Sequence, residues 1–163
     1  MLDPAGLIEK HRSKGVLVDT NLLVLFLVGN VNRRRILNFK RTADFNIEDY
    51  DLLLRLIDWF GTVVLTPHIL SQVSDLTDLG GAELAAVRAA FMLMVDLVEE
   101  RFDVSRIVVT DPTFERLGLT DAAVATVGSR GLLVLTADAH LHRALQERDI
   151  DSLNFGHVRM LGW

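Results

Sequence analysis

The sequence contains no cysteine among its 163 residues. This excludes disulfide bonds and thiolate metal sites, and it favours a reducing compartment. A long apolar run is missing too. The first residues, MLDPAGLIEKHRSKG, hold no apolar segment of signal-peptide length, and the stretch AFMLMVDLV is too short to span a bilayer and carries Asp96. We therefore expect a cytoplasmic protein that has no membrane partner.

An excess of positive charge is also lacking. The formal net charge is -5 at pH 7, which argues against binding nucleic acid through bulk positive charge. Nucleic acid stays open as a partner, because metal ions held by acidic residues restore positive charge locally. With 50% hydrophobic and 24% charged residues, the composition is that of an ordinary globular protein with a sizeable core. The length predicts a single domain over residues 1–163.

Short apolar runs alternate with longer helical patterns along the chain. The runs predict strands at 16–19, 62–66, 132–136 and 157–161, and a weaker strand at 106–111. Between them the pattern predicts helices, including a long apolar helix over 82–101, one that begins with Thr120 as its N-cap, and one over 139–148. A helix that follows the first strand is expected to end at Gly29 and Asn30. Alternating strands and helices predict an α/β protein, a three-layer α/β/α fold with a central, mostly parallel sheet.

Acidic residues follow two of the strongest predicted strands. Asp19 ends the run Val16–Val18, and Asp138 comes two residues after the run that ends at Thr136. Asp121 opens the helix that leads into that last run, so it can reach the same edge of the sheet. In an open parallel sheet, ligands bind at the carboxyl ends of the strands, where the strand order reverses. We therefore expect these three carboxylates to converge.

Converging carboxylates repel one another, and unbalanced repulsion raises their pKa values until some take up protons. A hard divalent cation removes the repulsion, since Mg²⁺ and Mn²⁺ prefer carboxylate and water oxygens as ligands. Such an ion can activate water and stabilise the charge that develops on a phosphoryl group. Metal-assisted hydrolysis of phosphodiester bonds is the natural chemistry for this arrangement.

Four segments, in this order, resemble the PIN domain family: VLVDTNLLV, VVLTPHILSQVSDL, LGLTDAAVATVG and LLVLTADAHL. The resemblance extends from about residue 15 to 161. It implies a metal-dependent endoribonuclease with Mg²⁺ or Mn²⁺ in an acidic pocket and RNA as the substrate. Because many small PIN proteins are toxins of bacterial toxin–antitoxin pairs and often associate, it also suggests an antitoxin protein and a homodimer as partners. The segment around 30–60 would be a helical insertion relative to the most compact members.

The resemblance assigns roles residue by residue. Asp19 matches the first acid of the family, Asp121 the acid of the LTDA segment, and Asp138 the acid after the last core strand, so these three would be the metal ligands. Asn21 matches the asparagine that accompanies the first acid. Thr136 matches the hydroxyl residue that precedes the last acid. These two would orient the ligands or the scissile phosphate.

One position departs from the family pattern. The helix after the second strand usually carries a glutamate, whereas this sequence has Gln72, which brings no negative charge. Asp75 lies one turn further on and could compensate, although a solvated surface position suits it better. The alternative function is therefore a catalytically weakened PIN-fold module that binds RNA or a protein partner without cleaving.

Two other acidic α/β sites fit less well. A haloacid-dehalogenase-type phosphatase needs an aspartate at position 21, where Asn21 stands. A phosphoacceptor receiver domain needs a lysine after a late strand, and the segment LLVLTADAH contains none.

Three further features concern the basic run, the methionines of the long helix and two histidines. The basic run RRRILNFKR (33–41) is either a solvated face or a phosphate-binding rim in which Phe39 stacks on a base. Met92 and Met94 are expected to fill the core. His140 and His142 are two residues apart and point to different sides of a helix, which argues against a joint metal site.

Overall fold

The computed structural model describes residues 3–162, and its elements alternate between helix and strand. The strands are β1 (Val16–Val18), β2 (Val63–Leu65), β3 (Glu99–Glu100), β4 (Leu133–Thr136) and β5 (Ser152–Asn154). The helices are α1 (Pro4–His11), α2 (Thr20–Val31), α3 (Ile47–Trp59), α4 (Pro67–Leu76), α5 (Gly81–Leu97), α6 (Ser105–Val108), α7 (Thr113–Leu117), α8 (Leu119–Gly128), α9 (Ala139–Gln146) and α10 (Phe155–Met160), with a 3₁₀ helix at Arg33–Asn38.

The five strands form one parallel sheet in the order β3-β2-β1-β4-β5. Helices flank the sheet, so the predicted three-layer α/β/α architecture is confirmed. Strands β2 and β3 lie on one side of β1, and β4 and β5 lie on its other side. The strand order therefore reverses between β1 and β4, which pair with Val18 opposite Leu135. The carboxyl ends of these two strands form the crevice where such sheets bind ligands.

Polar side chains at the strand ends start the helices that follow. The Asp19 carboxylate accepts a hydrogen bond from the Thr20 backbone N–H at the start of α2, and Asp138 caps α9 by accepting from the backbone of His140. The Thr66 hydroxyl caps α4, whose first residue is a proline. Each cap satisfies a backbone donor that the first helical turn leaves unpaired. The same turns that end the strands thereby fix polar side chains at the sheet edge.

Two predicted strands are wrong. Residues 106–111 form the end of α6 and a turn, in which the N–H groups of residues 107–111 donate to carbonyls three or four residues earlier in the chain. Residues 157–161 lie in α10 and the turn after it, because Asn154 caps that helix by accepting from the Gly156 N–H. The real edge strands, β3 and β5, are short and contain mostly polar residues. The apolar patterns therefore indicated the wrong segments.

The predicted end of α2 is also wrong. The helix continues through Gly29 and Asn30 to Val31. Gly29 serves packing here, since a Cβ atom at this position would lie 2.4 Å from the Tyr50 ring of α3. The absence of a side chain lets α2 and α3 approach closely.

Other helix boundaries differ by smaller amounts. The N-cap of α8 is Gly118, and Thr120 lies inside the helix, contrary to the prediction. The long apolar helix ends at Leu97 instead of 101. In it Met94 is buried, as expected, whereas Met92 is 70% exposed, contrary to the prediction. No helix within residues 3–162 is long and apolar enough to cross a membrane.

Candidate active site

Asp19, Asp121 and Asp138 line one open pocket of about 450 Å³ at the carboxyl edge of the sheet. They come from three elements: the end of β1, the first turn of α8, and the turn between β4 and α9. The other residues that line the pocket are Thr20, Asn21, Gln72, Leu76, Leu117, Gly118, Leu119 and Thr120. The structure thus brings together the three carboxylates that the sequence predicted to converge, although more than a hundred residues separate the first from the last.

Thr136 links the two aspartates that follow β1 and β4. Its hydroxyl group is fully buried, donates to Asp19 Oδ2 at 2.6 Å, and accepts from the Asp138 backbone N–H at 2.9 Å. The other oxygen of Asp19 accepts from the Thr20 N–H at 2.7 Å. These bonds fix the Asp19 carboxylate in one orientation.

The pocket has unbalanced negative charge. Burial, reinforced by the neighbouring charges of Asp19 and Asp138, raises the pKa of Asp121 to about 7. Burial also raises the pKa of Asp19, opposed by its hydrogen bonds from Thr136 and Thr20, and the charge of Asp138 adds to the rise. Among the described residues that line the pocket there is no lysine, arginine or histidine. A cation or bound protons must therefore offset the carboxylates at neutral pH.

The donor set fits a hard divalent cation by its chemistry, because its oxygens come from carboxylates, hydroxyls and amides. The spacing is looser than a closed metal cage. Within residues 3–162, no group of three or more histidine, cysteine, aspartate or glutamate side chains is close enough to hold an ion. Mg²⁺ does not require such a cage, since it commonly uses one or two carboxylates, several waters and the phosphates of a substrate. The residues present therefore fit an ion that is shared with a phosphate-bearing ligand.

Gln72 lies in the pocket, as its position in the second predicted segment suggested. Its side-chain carbonyl accepts a hydrogen bond from the Thr20 hydroxyl at 3.0 Å. Thr20 was not predicted as a site residue, and the only signal for it was its place beside Asp19. Asn21 lines the same pocket and is exposed. Asp75, in contrast, is exposed and does not line the pocket.

The basic run at 33–41 is mostly engaged with acidic side chains. Arg33 pairs with Asp51 at 2.7 Å, and Arg35 and Lys40 also form ion pairs. Phe39 is only 9% exposed and belongs to the core, so the interpretation that it stacks on a base is wrong.

The two histidines of α9 do not form a joint site. His140 is exposed, whereas His142 is buried and its ring nitrogen hydrogen-bonds the Ser152 hydroxyl at 2.9 Å. The ring of His142 also meets the ring of His157 edge-on, with 5.7 Å between the centroids. The two side chains thus lie on different sides of α9, as their spacing predicted.

The sequence matches no protein-family model, and it shows no significant similarity to a curated protein. The chemistry of the pocket must therefore be inferred from its own residues.

Proposed function

We propose that this protein is a metal-dependent endoribonuclease, a PIN-like hydrolase that acts on RNA phosphodiester bonds in the cytoplasm with Mg²⁺ or Mn²⁺. One observation carries the proposal: Asp19, Asp121 and Asp138 line a single pocket that has no basic side chain among its described residues, and the pKa of Asp121 is raised to about 7. A protein gains no stability from holding three carboxylates together, so a ligand that needs their charge is the best explanation. The toxin role and an antitoxin partner remain part of the proposal through the resemblance alone.

One or two of the three aspartates would hold the cation directly, and waters and the phosphates of the substrate would complete its coordination. When bound, a divalent cation supplies positive charge that lowers the pKa of water and stabilises the developing charge on a phosphoryl group. Asp19 would be the most rigid ligand, because hydrogen bonds from Thr136 and Thr20 already orient both of its oxygens. Asp138 uses Oδ1 to cap α9, and its Oδ2 makes no hydrogen bond within residues 3–162. Oδ2 is therefore available to bind the cation.

The neutral residues would serve the substrate. Asn21 is exposed in the pocket and can donate through its amide to a phosphate oxygen. Gln72 and Thr20 form a hydrogen-bonded pair on the pocket wall, and the Gln72 amide nitrogen remains able to donate to RNA. The pocket is open, which suits a polymer that passes across it better than a small enclosed substrate.

A second function is favoured by Gln72. An uncharged side chain stands where the resemblance leads one to expect a glutamate, and it reduces the charge available to a cation. A module of this kind would bind RNA or a protein partner in the same pocket without cleaving. Binding and cleavage must therefore be measured separately.

The test is cleavage of a broad pool of RNA by the purified protein, with Mn²⁺ or Mg²⁺ and with a chelator as control. We expect cleavage that depends on the metal and that Asp19→Asn abolishes. This variant should fold, because asparagine retains the ability to cap α2 and removes a buried charge whose pKa is raised. A circular dichroism melt verifies folding.

Asp75→Asn is the matched control, since it removes an aspartate that is exposed outside the pocket. It should leave cleavage unchanged. If RNA is retained on the protein but stays intact, the binding module is favoured. If the RNA is intact and calorimetry detects no binding of Mn²⁺, the nuclease proposal fails.

A further inference from the structure

A second cavity, of about 460 Å³, lies between α1, α9, β5 and α10. It shares no lining residue with the acidic pocket. Two histidines line it, His142 from α9 and His157 from α10. Ser152 of β5 and Asp149, which precedes that strand, line it as well. The cavity therefore gathers two imidazole rings and polar side chains at a place that the proposed RNA chemistry does not use.

The two imidazole rings lie at the distance that a shared metal ion requires. Their centroids are 5.7 Å apart, and their planes are inclined by 81°. An ion held about 2.0–2.1 Å from one nitrogen of each ring, at a tetrahedral angle, places the centroids roughly 5–6 Å apart. The side chain of His157 is exposed and makes no hydrogen bond within residues 3–162. Its ring can therefore turn a nitrogen toward an ion without breaking such a bond.

His142 is already held in an orientation that suits a metal ligand. It is 8% exposed, and its Nδ1 lies 2.9 Å from the hydroxyl oxygen of Ser152. When Nδ1 donates in this hydrogen bond, the ring lone pair is on Nε2, which has no hydrogen-bond partner within residues 3–162. Histidine ligands of metals commonly donate their other ring N–H in this way. Burial, together with the charge of His157, lowers the pKa of His142, so its ring is neutral at pH 7 and able to bind a metal.

An unpaired carboxylate lines the same cavity. The side chain of Asp149 forms no ion pair or hydrogen bond within residues 3–162, whereas Asp151 is engaged by Lys10 and His11. Within the same range no third acidic or histidine side chain is close enough to the two rings to bind an ion directly. Asp149 would therefore act through a water, and its negative charge would partly offset the charge of a divalent cation.

We propose that His142 and His157 form a binding site for a divalent transition-metal ion, Zn²⁺ or an ion of the same class, that bridges α9 and α10. Imidazole nitrogen suits Zn²⁺, Cu²⁺ and Ni²⁺, whereas Mg²⁺ prefers oxygen ligands. The metal class thus differs from the one proposed for the acidic pocket. Two protein ligands are fewer than the three or four of a dedicated zinc site, so waters complete the coordination. The ion joins α10 to α9 and stabilises the folded chain by mass action.

The first test is calorimetric titration of the full chain with Zn²⁺ in an excess of Mg²⁺, which competes for the acidic pocket. The unchanged protein should bind Zn²⁺. Ser152→Ala removes the hydrogen bond that orients His142 and should weaken binding by about tenfold, the low end of the effect of such partners. His157→Ala removes a direct ligand and should weaken binding more than Ser152→Ala does. This variant should fold, because the side chain of His157 is exposed.

His140→Ala is the matched control. It removes another histidine of α9 that is exposed and does not line the cavity, so it should leave Zn²⁺ binding unchanged. The second test follows the imidazole proton resonances by NMR during the same titration. Those of His142 and His157 should shift together as Zn²⁺ is added, whereas those of His140 should not. This readout assigns the binding to the cavity and separates it from any Zn²⁺ in the acidic pocket.

Three results would overturn the proposal. The unchanged protein binds no Zn²⁺, or His157→Ala binds it as tightly as the unchanged protein does; in either case the two rings form only a packing contact. The third is a loss of binding in His140→Ala as large as that in His157→Ala, which would indicate a diffuse surface site. Neither test involves RNA, so failure here leaves the nuclease proposal as it stands.

Discussion

Replacing Asp121 with asparagine should change how the stability of the metal-free protein depends on pH. Burial, reinforced by the charges of Asp19 and Asp138, raises the pKa of Asp121 from 3.8 to about 7 in the folded chain. Between these two values the folded state holds a proton that the unfolded state has lost. The free energy of unfolding therefore falls as the pH rises from about 4 to 7, and the stabilisation from this proton is absent above 7.

The size of the effect follows from the shift. A difference of about three pKa units corresponds at most to about 4 kcal/mol, at 1.36 kcal/mol per unit. Asp121 is only half-buried, so water screens part of this interaction, and roughly 1–2 kcal/mol is a realistic value. For a chain of this length each kcal/mol moves the melting temperature by roughly 2–4 °C. The wild-type protein should therefore lose roughly 2–8 °C between pH 5 and pH 8 relative to Asp121→Asn.

The assay is differential scanning calorimetry of both proteins in a chelator from pH 5 to pH 8. The comparison is made between the two proteins because His142 contributes with the opposite sign. Burial, together with the charge of His157, lowers the pKa of His142, so its contribution to stability is lost as the pH falls below about 6.5. This contribution is the same in both proteins and cancels. Parallel melting curves over the whole range would refute the reasoning about Asp121.

Two further predictions concern packing and hydrogen bonding. Thr136→Val leaves a buried oxygen of Asp19 without its donor and should lower the free energy of unfolding by about 1–3 kcal/mol in urea titrations; an unchanged midpoint would mean that the hydroxyl does not support the site. Gly29→Ala forces a Cβ atom to 2.4 Å from the Tyr50 ring and should cost about 1–3 kcal/mol, although alanine normally stabilises a helix relative to glycine. Gly61→Ala, where nothing lies within 4 Å, should show no such loss.

The sequence predicted the central strands well because β1, β2 and β4 are short runs of buried aliphatic residues. The edge strands could not be predicted in the same way. β3 consists of Glu99 and Glu100, which are exposed, and β5 reads Ser-Leu-Asn. These residues form strands because they pair with β2 and β4, and their own sequence has no apolar pattern that would predict it. The more apolar segments nearby instead satisfy their backbone in helical turns.

The site was predictable to the extent that it depends on topology. A parallel sheet places the residues after β1 and β4 at one edge, so Asp19 and Asp138 could be assigned from the pattern of strands. The contact between Thr20 and Gln72 could not, because it depends on how α2 and α4 pack together. The burial of Phe39 was missed for a similar reason, since its neighbours in the sequence are charged but its ring enters the core.

Among the three aspartates, Asp121 is the one that a purely structural role does not explain. Asp19 and Asp138 each cap a helix, so both would be useful to the fold even if the pocket bound nothing. The side chain of Asp121 forms no hydrogen bond or ion pair with any residue from 3 to 162, and it lies half-buried beside two like charges. Asparagine or serine at this position would avoid the repulsion. Asp121 lies in the first turn of α8, where the helix dipole favours a carboxylate, but this gain does not account for its place beside Asp19 and Asp138. A ligand that binds its charge does account for that place, and so Asp121 gives the strongest reason to expect a cation in the pocket.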